Sequence, residues 1–311
     1  MGTLHPQMKA ILDRLAAVPL PPLHTLSPAA ARAQGEATFV PLWNANPPAV
    51  AAVDNFTFPG PGGPVAVRLY DPGVAKPAPC LVFLHGGGWV IGSLDSYDDV
   101  CRRIALAGRV MVASIDYRLA PEHKFPAGLL DCIAAARWLA AAGEDLGIDG
   151  RRLAIGGDSA GANLSLATLV ALRDTGGPSV RGGLLIYGAY GSERDTPSHR
   201  AFGDGRYVLS LDEIEWCLSH YLDGAGDRAD PRAAPLHADL ARLPPLYLTA
   251  AEFDPLLDDT LALALKLKQS GAMYEYRLWP GLVHGSLNMA RLLAPMREHI
   301  AEMGGWLRRT V

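Results

Sequence analysis

The sequence predicts an α/β chain: a mostly parallel, eight-stranded central sheet with helices on both faces and a helical cap. Short continuous apolar runs, such as Cys80-Leu81-Val82-Phe83-Leu84, read as strands buried on both sides. From there onward such runs alternate with stretches of helical periodicity, as strand–helix–strand crossovers require.

A helix over 8–18 opens the series, because Met8, Ile11, Leu12 and Leu15 share one face. Pro19-Leu20-Pro21-Pro22 ends it, and irregular chain is expected as far as Pro48. Strands are expected at 51–58, 65–70, 80–84, 110–116, 153–156, 183–187, 246–251 and 274–279. Helices are expected at 96–107, 126–142, 160–173, 258–269 and 289–307, and Pro280-Gly281 is expected to break the last strand. The connection between 187 and 246 is too long for a plain loop, and Ile214, Leu218 and Tyr221 mark a helix at 211–222 within it. The expected organisation is an N-terminal cap segment (1–50), a core in two parts (51–187 and 245–311) and a cap insertion (188–244). Ligands of such sheets bind beyond the carboxyl ends of the strands, so a cap there would wall the site.

A hydrophobic content of 49% in 311 residues supports a sizeable core. The net charge is −4, and basic residues cluster no further than pairs such as Arg102-Arg103 and Arg308-Arg309, which argues against a nucleic-acid partner. Cys80, Cys101, Cys132 and Cys217 stand far apart among apolar neighbours, so buried thiols are expected rather than metal or redox spacing. The N-terminus lacks a basic stretch followed by an uninterrupted apolar one, and the most apolar helix, near 132–142, is too short to span a bilayer. A cytoplasmic protein without a membrane span is the expectation.

Chemistry is concentrated in Gly157-Asp158-Ser159-Ala160-Gly161, a serine between glycines where a strand meets a helix. Such a turn is so tight that side chains at its flanking glycines would clash, and it holds the serine Oγ clear of the backbone. Alone, the pattern fits an ordinary strand–turn–helix corner as well as a nucleophile. His85-Gly86-Gly87-Gly88-Trp89 follows a buried strand, and successive glycines leave backbone N–H groups that can face an oxyanion; the alternative is a flexible loop. Asp254 follows the 246–251 strand and precedes Pro255, with Glu252 as a rival acid. Among nine histidines, His284 alone lies in the loop that directly follows the last strand, downstream of a candidate acid. The order Ser159, Asp254, His284 is that of the α/β-hydrolase fold.

Together with Asp116-Tyr117-Arg118-Leu119-Ala120-Pro121-Glu122, these runs resemble bacterial esterases of the hormone-sensitive-lipase-like family, over about 56–299. The resemblance implies Ser159 as nucleophile, His284 as base and Asp254 as the acid that orients it. It also implies an oxyanion hole from the N–H groups of Gly87, Gly88 and Ala160, short acyl chains, and no metal or other cofactor. The chain departs from the family pattern at Ser286, where an aromatic is common, and at Gly188-Ala189-Tyr190-Gly191, where a proline is common. Both bear on substrate preference rather than chemistry.

His85, Gly86, Asp158, Gly157 and Gly161 are read as support for the loop and the elbow, and Arg118 with Glu122 as a bracing pair. Trp89, Tyr187 and Phe202 are pocket candidates, each with a plain packing role as alternative. A small-molecule ester is the expected partner, and a homodimer is compatible with the sequence. An arylformamidase or other amidase would share these motifs, and a ligand receptor on the same fold would lack the base that His284 supplies.

Overall fold

In the computed structural model, which describes residues 2–311 except Pro19, Ser192 and Arg194, eight strands form one sheet. They are β1 (Ala52–Gly60), β2 (Gly63–Asp71), β3 (Ala78–Leu84), β4 (Met111–Asp116), β5 (Ile148–Asp158), β6 (Gly182–Ile186), β7 (Leu246–Phe253) and β8 (Tyr274–Val283). The helices are α1 (Pro6–Ala16), α2 (Pro28–Trp43), α3 (Asp98–Gly108), α4 (Ala127–Ala142), α5 (Ala160–Asp174), α6 (Pro197–Phe202), α7 (Leu211–Tyr221), α8 (Ala225–Ala229), α9 (Leu257–Gln269) and α10 (Ala294–Thr310).

Strand order is β1-β2-β4-β3-β5-β6-β7-β8; β2 runs antiparallel to both neighbours and every other pairing is parallel. Alternate side chains sort into two apolar layers, as the strand period of two dictates. Cys80, Val82 and Leu84 of β3 join α4, α5 and α9, while Leu81 and Phe83 face α3 and α10. The chain leaves β3 toward β4 on one side and returns to β5 on the other, so the carboxyl ends of β3 and β5 flank a topological switch point. There Leu84 is paired with Gly157, which brings the loop after β3 against the turn after β5.

The irregular chain expected between residues 19 and 48 is instead largely α2. Its alanine-rich sequence has no apolar stripe, and Pro41 lies inside it, so periodicity does not reveal it. The usable signal is at its start: Ser27 accepts the Ala30 N–H at 3.3 Å and Pro28 occupies the first turn. β8 also runs on through Pro280-Gly281 to Val283. It is an edge strand, where a proline costs no ladder bond, and an irregularity opposite Glu252 absorbs the turn of Gly281 (φ +69°). Within 188–244, α6 and α8 add to the expected helix, and the last helix begins at Ala294 after a short 3₁₀ turn. Among the described residues, no helix is long and apolar enough to cross a membrane.

Burial makes the stability contributions of apolar residues unequal. Ile155→Ala, in the fully buried centre of β5, is expected to cost about 2–5 kcal/mol in denaturant unfolding. Leu265→Ala on α9, where the side chain is 58% exposed, should stay within about 0.5 kcal/mol of the parent.

Candidate active site

β5 passes into α5 through Ser159, whose backbone sits at φ 54°, ψ −120°. Such a conformation costs on the order of 1–3 kcal/mol for a residue with a side chain. Its surroundings hold it: the Ser159 N–H donates to the Ile186 carbonyl at 2.9 Å, and its own carbonyl accepts from Ala162 and Asn163. A Cβ on Gly157 or on Gly161 would fall on the Leu84 carbonyl oxygen. Only hydrogen at both positions lets the turn approach β3 so closely.

His284 lies just beyond β8 and Asp254 just beyond β7. The His284 Nδ1–H donates to Asp254 Oδ2 at 2.8 Å, and the Ser159 hydroxyl donates to His284 Nε2 at 2.9 Å. The carboxylate partner places the imidazole proton on Nδ1 and leaves Nε2 as an acceptor. Asp254 is fully buried, and its Oδ1 accepts the Leu256 N–H at 2.8 Å. Burial works against a charged His284, but the charge and hydrogen bond of Asp254, then the charges of Asp158 and Glu213, outweigh it and raise its pKa above the ordinary imidazole value. The rival acid Glu252 accepts the N–H groups of Gly2 at 3.1 Å and Gly281 at 2.8 Å instead.

The loop after β3 curls back so that the Gly87 carbonyl accepts from Val90 and Ile91. Gly87 adopts φ +112°, and a Cβ there would strike the Ile91 carbonyl. The N–H groups of Gly87 and Gly88 find no acceptor among the described residues, and that of Ala160 lies in the first turn of α5, where helix geometry leaves N–H groups free. All three residues border the same cleft as Ser159 and His284. His85 is wholly buried, donates from Nδ1 to the Gly86 carbonyl at 2.7 Å and stacks on Tyr117. Burial lowers its pKa to about 4, so it stays neutral at physiological pH and braces the loop. Gly86 in turn donates to Asp158 at 2.9 Å.

The cleft, about 1350 Å³, is walled by Leu12 and Leu15 of α1, Phe39 and Trp43 of α2, and Ile214 and Leu218 of α7. Trp89 borders it and stacks on Tyr221, ring centroids 4.5 Å apart. Tyr187 and Phe202 do not line it. Tyr187 is buried with its ring 4.8 Å from that of His284, and Phe202 packs on Tyr207 and Phe253. Arg118 and Glu122 do not pair: Arg118 forks onto buried Asp131, and Glu122 takes Arg32 of α2. Cys217 is only partly buried and packs directly against Gly88 at the cleft, whereas the other three thiols lie in the core.

Several residues that shape the site carry no sequence signal. Arg32 donates to the carbonyls of Val90 and Ala120, at 2.8 and 2.7 Å, tying α2 to the glycine loop. Asn163 of α5 donates to Ala189 and Ala233, holding both ends of the long insertion. Among the described residues, no three His, Cys, Asp or Glu side chains gather as a metal site would require.

Residues 81–288 match a family model described as alpha/beta hydrolase fold. The chain is 40% identical over 247 residues to the carboxylic ester hydrolase LipN of Mycobacterium tuberculosis, a match covering 77% of this chain and 65% of that protein. It is 39% identical to the carboxylesterase NlhH of the same organism, covering 75% of each chain. The structure superposes on a hyperthermophilic esterase from the archaeon Pyrobaculum calidifontis with a TM-score of 0.95 at 36% identity, covering 99% of this chain and 98% of that one. The chain belongs to the α/β-hydrolase fold family, in its hormone-sensitive-lipase-like branch of ester hydrolases.

Proposed function

We propose that the chain is a serine carboxylesterase that hydrolyses short- to medium-chain acyl esters through an acyl-enzyme. The observation that carries this reading is the unbroken hydrogen-bond path from Ser159 Oγ through His284 to Asp254, opening on a cleft bordered by free N–H groups. His284 Nε2 takes the Ser159 proton as Oγ attacks the ester carbonyl. The N–H groups of Gly87, Gly88 and Ala160 receive the oxyanion, where fixed donors act more strongly than in water. The imidazolium, stabilised by Asp254, then protonates the leaving alcohol. In the second half His284 activates a water that attacks the acyl-enzyme, and Ser159 regains its proton. The cap reading of segments 1–50 and 188–244 is supported by their share in the cleft walls, which would bound the acyl and alcohol portions of the substrate.

Hydrolysis of p-nitrophenyl esters from acetate to palmitate, with Ser159→Ala beside the parent, tests the reading. The rate should peak among short and medium chains and fall roughly 10⁶-fold in the variant. Activity surviving unchanged in Ser159→Ala would remove Ser159 from the reaction. The pH profile offers a second test, because His284 must be neutral to accept the proton. Its raised pKa places the acid limb of kcat/KM at higher pH than an ordinary imidazole would. Asp254→Asn removes the leading influence that raises it, leaving burial to dominate, so the residual activity should show that limb at lower pH.

A further inference from the structure

The charges bordering the cleft are unevenly matched. Each of its four arginines already holds a carboxylate: Arg32 holds Glu122, Arg200 holds Asp195, Arg206 holds Asp204 and Arg228 holds Glu215. Glu213, in the first turn of α7, lines the same cleft, and among the described residues no lysine or arginine pairs with it. Its Oε2 accepts the Ser210 N–H at 3.0 Å and the Ser210 hydroxyl at 3.2 Å, and the Leu23 N–H bears on the same carboxylate. A carboxylate accepts about four hydrogen bonds, so accepting capacity remains. Burial pushes its carboxyl above the usual carboxylate range, opposed by the Ser210 bonds, the His24 charge and the Leu23 bond. Two further groups stand beside it. His24, in the short turn ahead of α2, borders the cleft, and its Nδ1 is buried with no partner among the described residues. Trp216 lines the cleft three residues beyond Glu213, on the same face of α7, and its Nε1–H donates to the Leu26 carbonyl at 3.2 Å.

We infer that Glu213 is a specificity-determining residue that selects esters carrying an ammonium group, with Trp216 and His24 completing the surroundings of the cation. The inference rests on the serine esterase reading and names the substrate class of that site. An ammonium at Glu213 would answer a carboxylate that has no basic partner, in a cleft whose apolar walls screen the attraction less than water does. It would also lie against an indole, the aromatic group that attracts cations best, and an N–H on it would find His24 Nδ1. The approach to Ser159 favours the same sign, because the charges of Asp254, Asp158 and Glu213 all bear on His284. An ester with a free carboxylate would meet those charges while the arginines of the cleft are already neutralised.

The test uses the full chain at pH 8 and compares cationic esters with neutral ones of the same shape. Butyrylcholine against 3,3-dimethylbutyl butyrate places the charge on the alcohol side. p-Nitrophenyl 4-(trimethylammonio)butyrate against p-nitrophenyl 5,5-dimethylhexanoate places it on the acyl side. In one pair the cation should be favoured about 10-fold in kcat/KM, mainly through KM, since the contact lies away from the reacting bond. Glu213→Gln should bring that ratio close to one, and glutamine still serves the N-terminal cap of α7 as glutamate does. A ratio near one in both pairs for the parent, or a preference that survives in folded Glu213→Gln, would overturn the inference. If the variant does not fold, salt decides: a parent preference that fades in 1 M NaCl upholds it, and one indifferent to salt overturns it. Neutral esters hydrolysed as fast as their cationic partners would leave the Ser159 mechanism standing, whereas no hydrolysis of any of the four would remove both.

Discussion

The approach of the Ser159 turn to the end of β3 is the constraint on which the site depends. The Leu84 carbonyl occupies the space that a Cβ on Gly157 or Gly161 would need, so the elbow and the glycine loop stand at van der Waals distance only because both positions carry hydrogen. The sheet order makes this meeting place a switch point, with chain departing in opposite directions on its two sides and a crevice left between. The cleft, the free N–H groups and the hydroxyl of Ser159 all follow from that one contact. Any side chain that widened it would part the Ser159 hydroxyl from the N–H groups of Gly87 and Gly88.

The electrostatics of the site follow from burial. A deeply buried imidazole would ordinarily resist protonation, yet His284 is raised because carboxylates face it from more than one direction. Such an imidazole is ready to hold a proton in transit. The same burial leaves His85 neutral, since a backbone carbonyl rather than a carboxylate meets it, and fits it to bracing instead of proton transfer. Two histidines at strand ends thus differ through their partners and not through their exposure.

The parts of the fold and site legible in the sequence are those encoded by local sterics. Gly157, Gly161 and Gly87 mark places where neighbouring backbone leaves no room, and such demands appear directly as residue identity. Central strands such as β3 announce themselves because both faces are buried. What escaped depends on contacts between distant segments. α2 has no apolar stripe and is held by Arg32 reaching the carbonyls of Val90 and Ala120. Tyr187 looks like a pocket aromatic until the folded chain places it beneath His284, and Arg118 finds Asp131 rather than the nearer-seeming Glu122. β8 continues through Pro280-Gly281 because it is an edge, a property of topology that a local reading of proline misses.

The central claim is that Ser159 is the attacking atom within this assembled site. The most direct measurement is peptide mapping by mass spectrometry after inactivation with a p-nitrophenyl alkylphosphonate, a reagent that traps a nucleophile whose oxyanion is received by fixed donors. The account predicts one phosphonyl group per chain, carried by the peptide containing Ser159, with esterase activity lost in proportion. Phosphonylation of a different residue, or full labelling of Ser159 with ester hydrolysis undiminished, would contradict it.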